Sequence, residues 1–282
     1  MKKVIIHIKA PDQRGIISNY TELFSSLNMN ILKLEQHVES DQGMFFMRIE
    51  AEILDEKLKI NQLEKNLSKT DKMINATSKI NNKQTSQNVA VLVSKESLPL
   101  YDILIKNKIK EIDSDIKCII SNHKTLENIA NQFNIEFIHL DLKNKDDAEK
   151  QLHKILEKYN IDLIVLARYM QIIPDSIVDL YNERMINIHH SFLPAFKGSK
   201  PYHKAWNRGV KLIGATSHYV TKELDEGPII SQDVVHVDHH QSVKELINCG
   251  RNLERNVLID AIKAHIDYRI MVHGKRTIVF SK

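Results

Sequence analysis

An amide, an imidazole and a carboxylate can together polarise an acyl carbon, hold the oxyanion that forms when it is attacked, and order the attacking group. The run Asn187-Ile188-His189-His190-Ser191-Phe192-Leu193-Pro194 carries the first two, and Asp225-Glu226-Gly227-Pro228 carries the third. Arg184 to Ile188 reads as a short apolar strand, along which side chains alternate faces, so Asn187 and His189 project to one side and Ile188 and His190 to the other. By this alternation His189 shares a pocket with Asn187, and His190 is structural. Ser191 and Pro194 end the strand, because proline cannot donate to a ladder. A histidine pair at a strand end can also be a hydrogen-bonded surface feature, and Asp-Glu-Gly-Pro is a good turn by composition alone. Half of the eight glycines fall at positions 198, 209, 214 and 227, so this stretch needs unusual backbone geometry or close approach by a ligand.

The elements that must position these groups begin after a polar linker, Asn81 to Gln87. Val89–Ser94, Ile116–Ser121, Glu136–Leu140, Leu163–Leu166 and Met185–Ile188 are predicted strands, separated for the most part by helices such as Tyr101–Asn107, Thr125–Phe133 and Asp146–Tyr159. Strands apolar on both faces that alternate with helices indicate a Rossmann-like parallel sheet covered on both sides, with its site beyond the carboxyl ends of the strands. No glycine-rich phosphate loop follows the first of these strands; Ser94-Lys95-Glu96-Ser97-Leu98-Pro99 stands there instead, so a dinucleotide is not implied.

Residues 88 to 282 resemble the folate-dependent formyltransferases and, within them, the formyltetrahydrofolate deformylases. The resemblance is carried by Val165-Leu166-Ala167-Arg168-Tyr169-Met170-Gln171-Ile172, Asn187 through Gly198, Pro201-Tyr202-His203, Gly214-Ala215-Thr216-Ser217-His218 and Leu224 through Gln232. It implies a catalytic trio of Asn187, His189 and Asp225. It also implies a folate site drawing on Arg168, Met170, Gln171, Ile172, His190, Gly214, Gly227 and Pro228. Transferases acting on glycinamide ribonucleotide usually have proline at the position of His190 and arginine at that of Gln171, so these two residues favour water over an amine as acceptor. In those transferases the loop after the first strand handles the acceptor's phosphate, and Leu98-Pro99 is atypical there even for a deformylase. His190 and this loop are candidates for excluding an amine. The implied reaction is hydrolysis of 10-formyltetrahydrofolate to formate and tetrahydrofolate, which supplies formate for purine synthesis and balances one-carbon pools. Folate is the substrate, and no prosthetic group is implied. Two alternatives stay open: a formyltransferase that passes the group to an amine, and a non-catalytic amino-acid-sensing module.

The first eighty residues form a separate pattern. Strand Val4–Ile8, helix Ile16–Leu27, strands Asn30–Val38 and Met44–Ile53, helix Leu54–Leu67 and strand Met73–Ile80 give the β-α-β-β-α-β order of a ferredoxin-like fold. With Pro11-Asp12-Gln13-Arg14-Gly15-Ile16 after its first strand, the segment resembles ACT domains. The resemblance implies a homo-oligomer, dimer or tetramer, with glycine or methionine as effector, or a domain that only joins subunits. The expected division is therefore residues 1–84, ACT-like and regulatory, and residues 85–282, catalytic.

Composition narrows the remaining classes. A chain of 282 residues, 42% apolar and 27% charged, is ordinary globular usage. The net charge of +4 is spread among interleaved acids, with no basic block to suggest a nucleic-acid partner. There is no apolar run of membrane-spanning length, and His7 and Lys9 interrupt any secretory signal, so cytoplasmic residence is expected. Cys118 and Cys249 read as reduced thiols. His236-Val237-Asp238-His239-His240 could suggest a metal cluster, but its spacing splits the ligands between strand faces, and the reading is no metal, with Ser242 capping a helix Val243–Ala264.

Overall fold

The computed structural model describes residues 2–82, 85–194 and 201–281. They divide into two compact units, Met1–Ser86 with Asp267–His273 and Ile278–Lys282, and Gln87–Ile266 with Gly274–Thr277. The expected cut at 84/85 thus falls close to the first crossing. It omits the return of the C-terminal segments to the first unit, which no local pattern announces.

In the first unit β1 (Lys2–Pro11), β2 (Met29–Glu39), β3 (Met44–Ile53) and β4 (Thr77–Asn82) form an antiparallel sheet of order β2-β3-β1-β4, with helices α1 (Ile16–Ser26) and α2 (Ile60–Ile74). This is the predicted ferredoxin-like arrangement. Alternate residues of β1 and β3, Val4, Ile6, Ile8, Met47, Ile49 and Ala51, pack on Tyr20, Phe24, Leu63 and Leu67 of the helices. The second helix differs from the expected Leu54–Leu67. Asp55 accepts the Lys57 amide and delays its start, and it continues until Asn75 adopts a left-handed conformation at φ 54°, which moves the last strand from Met73 to Thr77.

The opposite sheet face is covered by the returning C-terminal segment. Arg48, 3% exposed, donates to the carbonyls of Tyr268 and Asp267 and lies beside Glu35 and Glu50. His7, paired with Arg48 across the sheet, contacts the Tyr268 carbonyl through Nε2 at 2.8 Å. Burial first, and then the Arg48 charge, push the His7 imidazole down to about 4, while the Tyr268 contact opposes them. The folded value lies below the ordinary 6.5. The unfolded chain therefore takes up a proton that the fold refuses. Stability from this group is fully present above the ordinary value and is lost as pH falls through 6.5 toward and past 4. His7→Gln keeps a donor for Tyr268 and cannot titrate. It is expected to flatten the fall in hydrogen-exchange protection of β1 and β3 over that window. An unchanged pH slope would mean that His7 does not drive it.

In the second unit β5 (Gln87–Val93), β6 (Ser114–Ser121), β7 (Glu136–His139), β8 (Leu163–Leu166), β9 (Met185–His189), β10 (Leu212–Tyr219) and β11 (Ile229–His236) form one sheet of order β11-β10-β9-β8-β5-β6-β7. Strands β5 to β9 are parallel, joined by α3 (Leu98–Lys108), α4 (Glu127–Gln132), α5 (Lys145–Lys158) and α6 (Asp175–Leu180). The five strands expected from sequence are parallel, and two further strands, β10 and β11, extend the sheet antiparallel to their neighbours. They follow α7 (Pro201–Arg208) and precede α8 (Val243–Ile266). Strand β8 and the Val89–Val93 part of β5 are buried on both faces, which is why they read as unbroken apolar runs, and β6 is buried likewise from Cys118 to Ser121. Leu98 and Pro99 are not loop residues, since they open α3, where proline needs no donor. Ser242 begins α8 through reciprocal bonds with Glu245, and Asp238 accepts the His240 amide. Among the described residues no group of three or more His, Cys, Asp or Glu is disposed to hold a metal ion, and no helix is long and apolar enough to cross a membrane. Strands β12 (Ile270–His273) and β13 (Arg276–Val279) pair as a final ribbon.

Candidate active site

Strand β9 runs one residue further than expected and ends at His189. Its antiparallel register with β10 puts Asn187 opposite His218 and His189 opposite Thr216, so two polar pairs share one face of an otherwise apolar sheet. Asp225 comes from the loop between β10 and β11 and holds a left-handed backbone at φ 58°. Its Oδ2 lies 3.1 Å from His189 Nδ1, and its Oδ1 lies 3.7 Å from His218 Nε2. The imidazole and the carboxylate singled out in the sequence therefore meet.

His218, given no role by sequence reasoning, completes the group. Its Nδ1 is 2.8 Å from the Tyr219 carbonyl, which can only accept, so Nδ1 is the donor. Nε2 is then left to accept from Asn187 Nδ2 at 3.3 Å. This bond fixes the Asn187 amide with its nitrogen turned into the site. The sequence signal for it was the alternation of Thr216 and His218 along an apolar strand.

His189 is 5% exposed, and its Nε2 has no hydrogen-bond partner among the described residues. With Nδ1 held by Asp225, that nitrogen is the one free to meet a ligand. His189, whose Nδ1 lies against Asp225 Oδ2, is the main cause that holds the Asp225 carboxyl well below the usual carboxylate range, so the site carries a fixed negative charge.

Other parts of the site are built to carry these groups. Thr216 Oγ1 donates to the Ser191 carbonyl at 2.9 Å and accepts from the Leu193 amide at 3.1 Å and Gln232 Nε2 at 2.9 Å, which ties down the chain leaving His189. A Cβ on Gly227 would stand 1.7 Å from the Tyr219 carbonyl oxygen, so only glycine lets the loop bearing Asp225 cross the end of β10. The Pro228 carbonyl then accepts the Tyr219 amide at 2.9 Å and closes the loop.

The residues expected to bind a ligand fare unevenly. His190 is not on the far side from His189 as strand alternation predicts: β9 has ended, and its ring stacks on His189 with centroids 5.2 Å apart. Burial, with Arg168 second, pushes His190 down to about 4, so it is uncharged near neutrality. Arg168 turns its guanidinium toward the buried Glu254. Met170, Gln171 and Ile172 lie exposed in the turn after β8, where the Met170 amide donates to Ser94 Oγ. The close approach at Gly214 is by protein, with the Asp233 carbonyl 2.7 Å and Phe192 Cβ 3.0 Å from a built Cβ, which leaves no room for a ligand there. Gly198 lies outside the described residues.

An unpartnered imidazole nitrogen, an oriented amide and an ionised carboxylate around one point suit acyl chemistry. Residues 87–262 match the family described as Formyl transferase. A protein of Synechocystis sp. named formyltetrahydrofolate deformylase is 43% identical over 97% of this chain and 97% of its own, and one of that name from Bacillus subtilis is 41% identical over 97% and 92%. The crystal structure of a formyltetrahydrofolate deformylase from Pseudomonas syringae pv. tomato superposes with a TM-score of 0.95 at 38% identity, covering 100% of this chain and 95% of that one. The shared sequence spans both units and not the formyltransferase unit alone, and the chain belongs to the formyltetrahydrofolate deformylase family.

Proposed function

We propose that the chain hydrolyses 10-formyltetrahydrofolate to formate and tetrahydrofolate. The observation that carries this reading is the buried, unpartnered His189 Nε2 beside the oriented Asn187 amide, with Asp225 ionised opposite them. Water attacks the formyl carbon, and the oxyanion that develops is held by Asn187 Nδ2 and His189 Nε2. Asp225 orders the water and takes up its proton as the carbon–oxygen bond forms, within the shared Asp225–His189 pair. The folate nitrogen gains a proton as its bond to the formyl carbon breaks. Incubating the protein with 10-formyltetrahydrofolate and no acceptor, and following formate, tests the reaction: steady release is expected. Absence of formate, with an N-formyl amine formed once an amine is added, would instead establish a transferase. Retention of His189 against Asp225, with Asn187 held beside them by His218, weighs against a module without catalysis.

An amino-acid effector at the first unit is the second part of the reading. An open cavity of about 570 Å3 lined by Asp12, Gln13, Gly15, Ser18, Thr21 and Phe45 supports it, combining a carboxylate for an ammonium group with the start of α1 for a carboxylate. Equilibrium dialysis with labelled glycine and methionine is expected to give saturable binding below millimolar concentration; no binding would leave the unit as a joint between subunits of a homo-oligomer. Cytoplasmic residence fits two free cysteines, with Cys118 pushed up to about 12 by burial.

A further inference from the structure

The strand order of the seven-stranded sheet reverses between β5 and β8, and in open α/β sheets the crevice beyond such a pair is where ligands enter. Among the described residues, side chains crowd this crevice around a cavity of about 10 Å3, room for about one water molecule, lined by Glu96, Leu98, Pro99, Arg168, Arg251 and Glu254.

The filling is charged rather than apolar. Glu254, 3% exposed, accepts the Tyr202 hydroxyl at 2.7 Å and faces Arg168 Nη1 at 3.4 Å. Arg251 pairs with Glu96 at 3.2 Å across the same space. Arg168 takes a left-handed backbone at φ 62°, a conformation that side chains other than glycine adopt at a cost. Its Nη1 is buried without a hydrogen-bond partner among the described residues. Gly250 makes room for the arrangement: a Cβ there would stand 2.1 Å from the Tyr202 hydroxyl, so the phenol lies against α8 and reaches Glu254 one turn on. The Tyr202 ring in turn lies 6.2 Å from His190, which stacks on His189. A continuous wall thus runs from the crevice to the reacting imidazole. A buried ion pair returns little stability compared with apolar residues of the same volume, and a strained backbone that carries it is poorly explained as packing.

We propose that Arg168 and Glu254 are specificity-determining residues that plug this crevice and keep acceptors larger than water from the formyl carbon. The inference rests on the hydrolase reading above. With the plug removed, the nitrogen of an amine attacks the formyl carbon in place of water. The new carbon–nitrogen bond forms as the bond to the folate nitrogen breaks, the attacking nitrogen loses a proton and the folate nitrogen gains one. The products are an N-formyl amine and tetrahydrofolate.

The test pairs Arg168→Gly with Glu254→Gln. Glycine suits the left-handed position, and glutamine keeps an acceptor for Tyr202, so neither charge is left alone. Each protein is given 10-formyltetrahydrofolate with O-benzylhydroxylamine, an amine that is uncharged near neutrality, and the ratio of N-formyl amine to formate is measured. In the double variant the ratio is expected to rise on the order of ten-fold over the unsubstituted protein. A folded double variant whose ratio rises less than three-fold overturns the proposal. Should the double variant not fold, Leu98→Ala opens the same cavity from its exposed wall, and the same three-fold limit decides. Failure of the hydrolase reading is separate, because it would appear in the unsubstituted protein as no formate in water alone.

Discussion

Asp225→Asn is expected to lower the rate of formyl hydrolysis by a factor on the order of a hundred or more, with KM little changed. Asparagine has nearly the shape of aspartate, and its carbonyl can still accept from His189 Nδ1, so the imidazole stays in place. What it lacks is the charge and the capacity to take a proton. The charge it removes faces both the attacking water and His189, so a large loss is expected from either role of the carboxylate. A kcat within three-fold of the unsubstituted protein would remove Asp225 from the reaction. The depressed carboxyl has a consequence for pH. Asp225 remains ionised well below neutrality, so an acid limb in the rate between pH ~5 and ~8 would belong to another group. Its contribution to stability follows the same sign. The folded value lies below the unfolded one of about 3.9, so the contribution is present above that value and lost as pH falls through the folded one.

Gly227→Ala is expected to cost kcat/KM about a hundred-fold while the protein remains folded. The added Cβ would meet the Tyr219 carbonyl oxygen at 1.7 Å and its carbon at 2.8 Å, both backbone atoms within the sheet. Strand β10 is held by β9 on one side and β11 on the other, so the loop must give instead. Asp225 lies two residues away and would move with it. Displacements of about 1 Å in a reacting group can cost on the order of a hundred-fold in rate. The lost closing bond between the Tyr219 amide and the Pro228 carbonyl should also lower stability by about 1 to 3 kcal/mol, visible in urea unfolding followed at Trp206, the chain's one tryptophan. Activity within three-fold of the unsubstituted protein would mean that the loop tolerates the methyl and that Gly227 does not position Asp225.

From sequence, Gly214 and Gly227 both read as places where a ligand could approach the backbone. In the fold both are crowded by protein, Gly214 by the Asp233 carbonyl and Phe192 and Gly227 by Tyr219. A glycine signals close approach, but not by what, because the approaching atoms come from another strand.

Much was settled by residue order alone. The apolar runs of β5 and β8 fix buried strands, the βαββαβ order fixes the first sheet, and the two-residue spacing of Asn187 and His189 fixes a shared face, because these follow from local periodicity. Tertiary structure decided what depends on pairing between distant segments. The antiparallel register of β10 brought His218 opposite Asn187, and a left-handed turn brought Asp225 to His189. The approach of α8 carried Glu254 to Arg168 and gave that side chain a buried acidic partner. Cross-strand register and helix docking are set by the summed fit of whole surfaces, and no single stretch of this chain contains that sum.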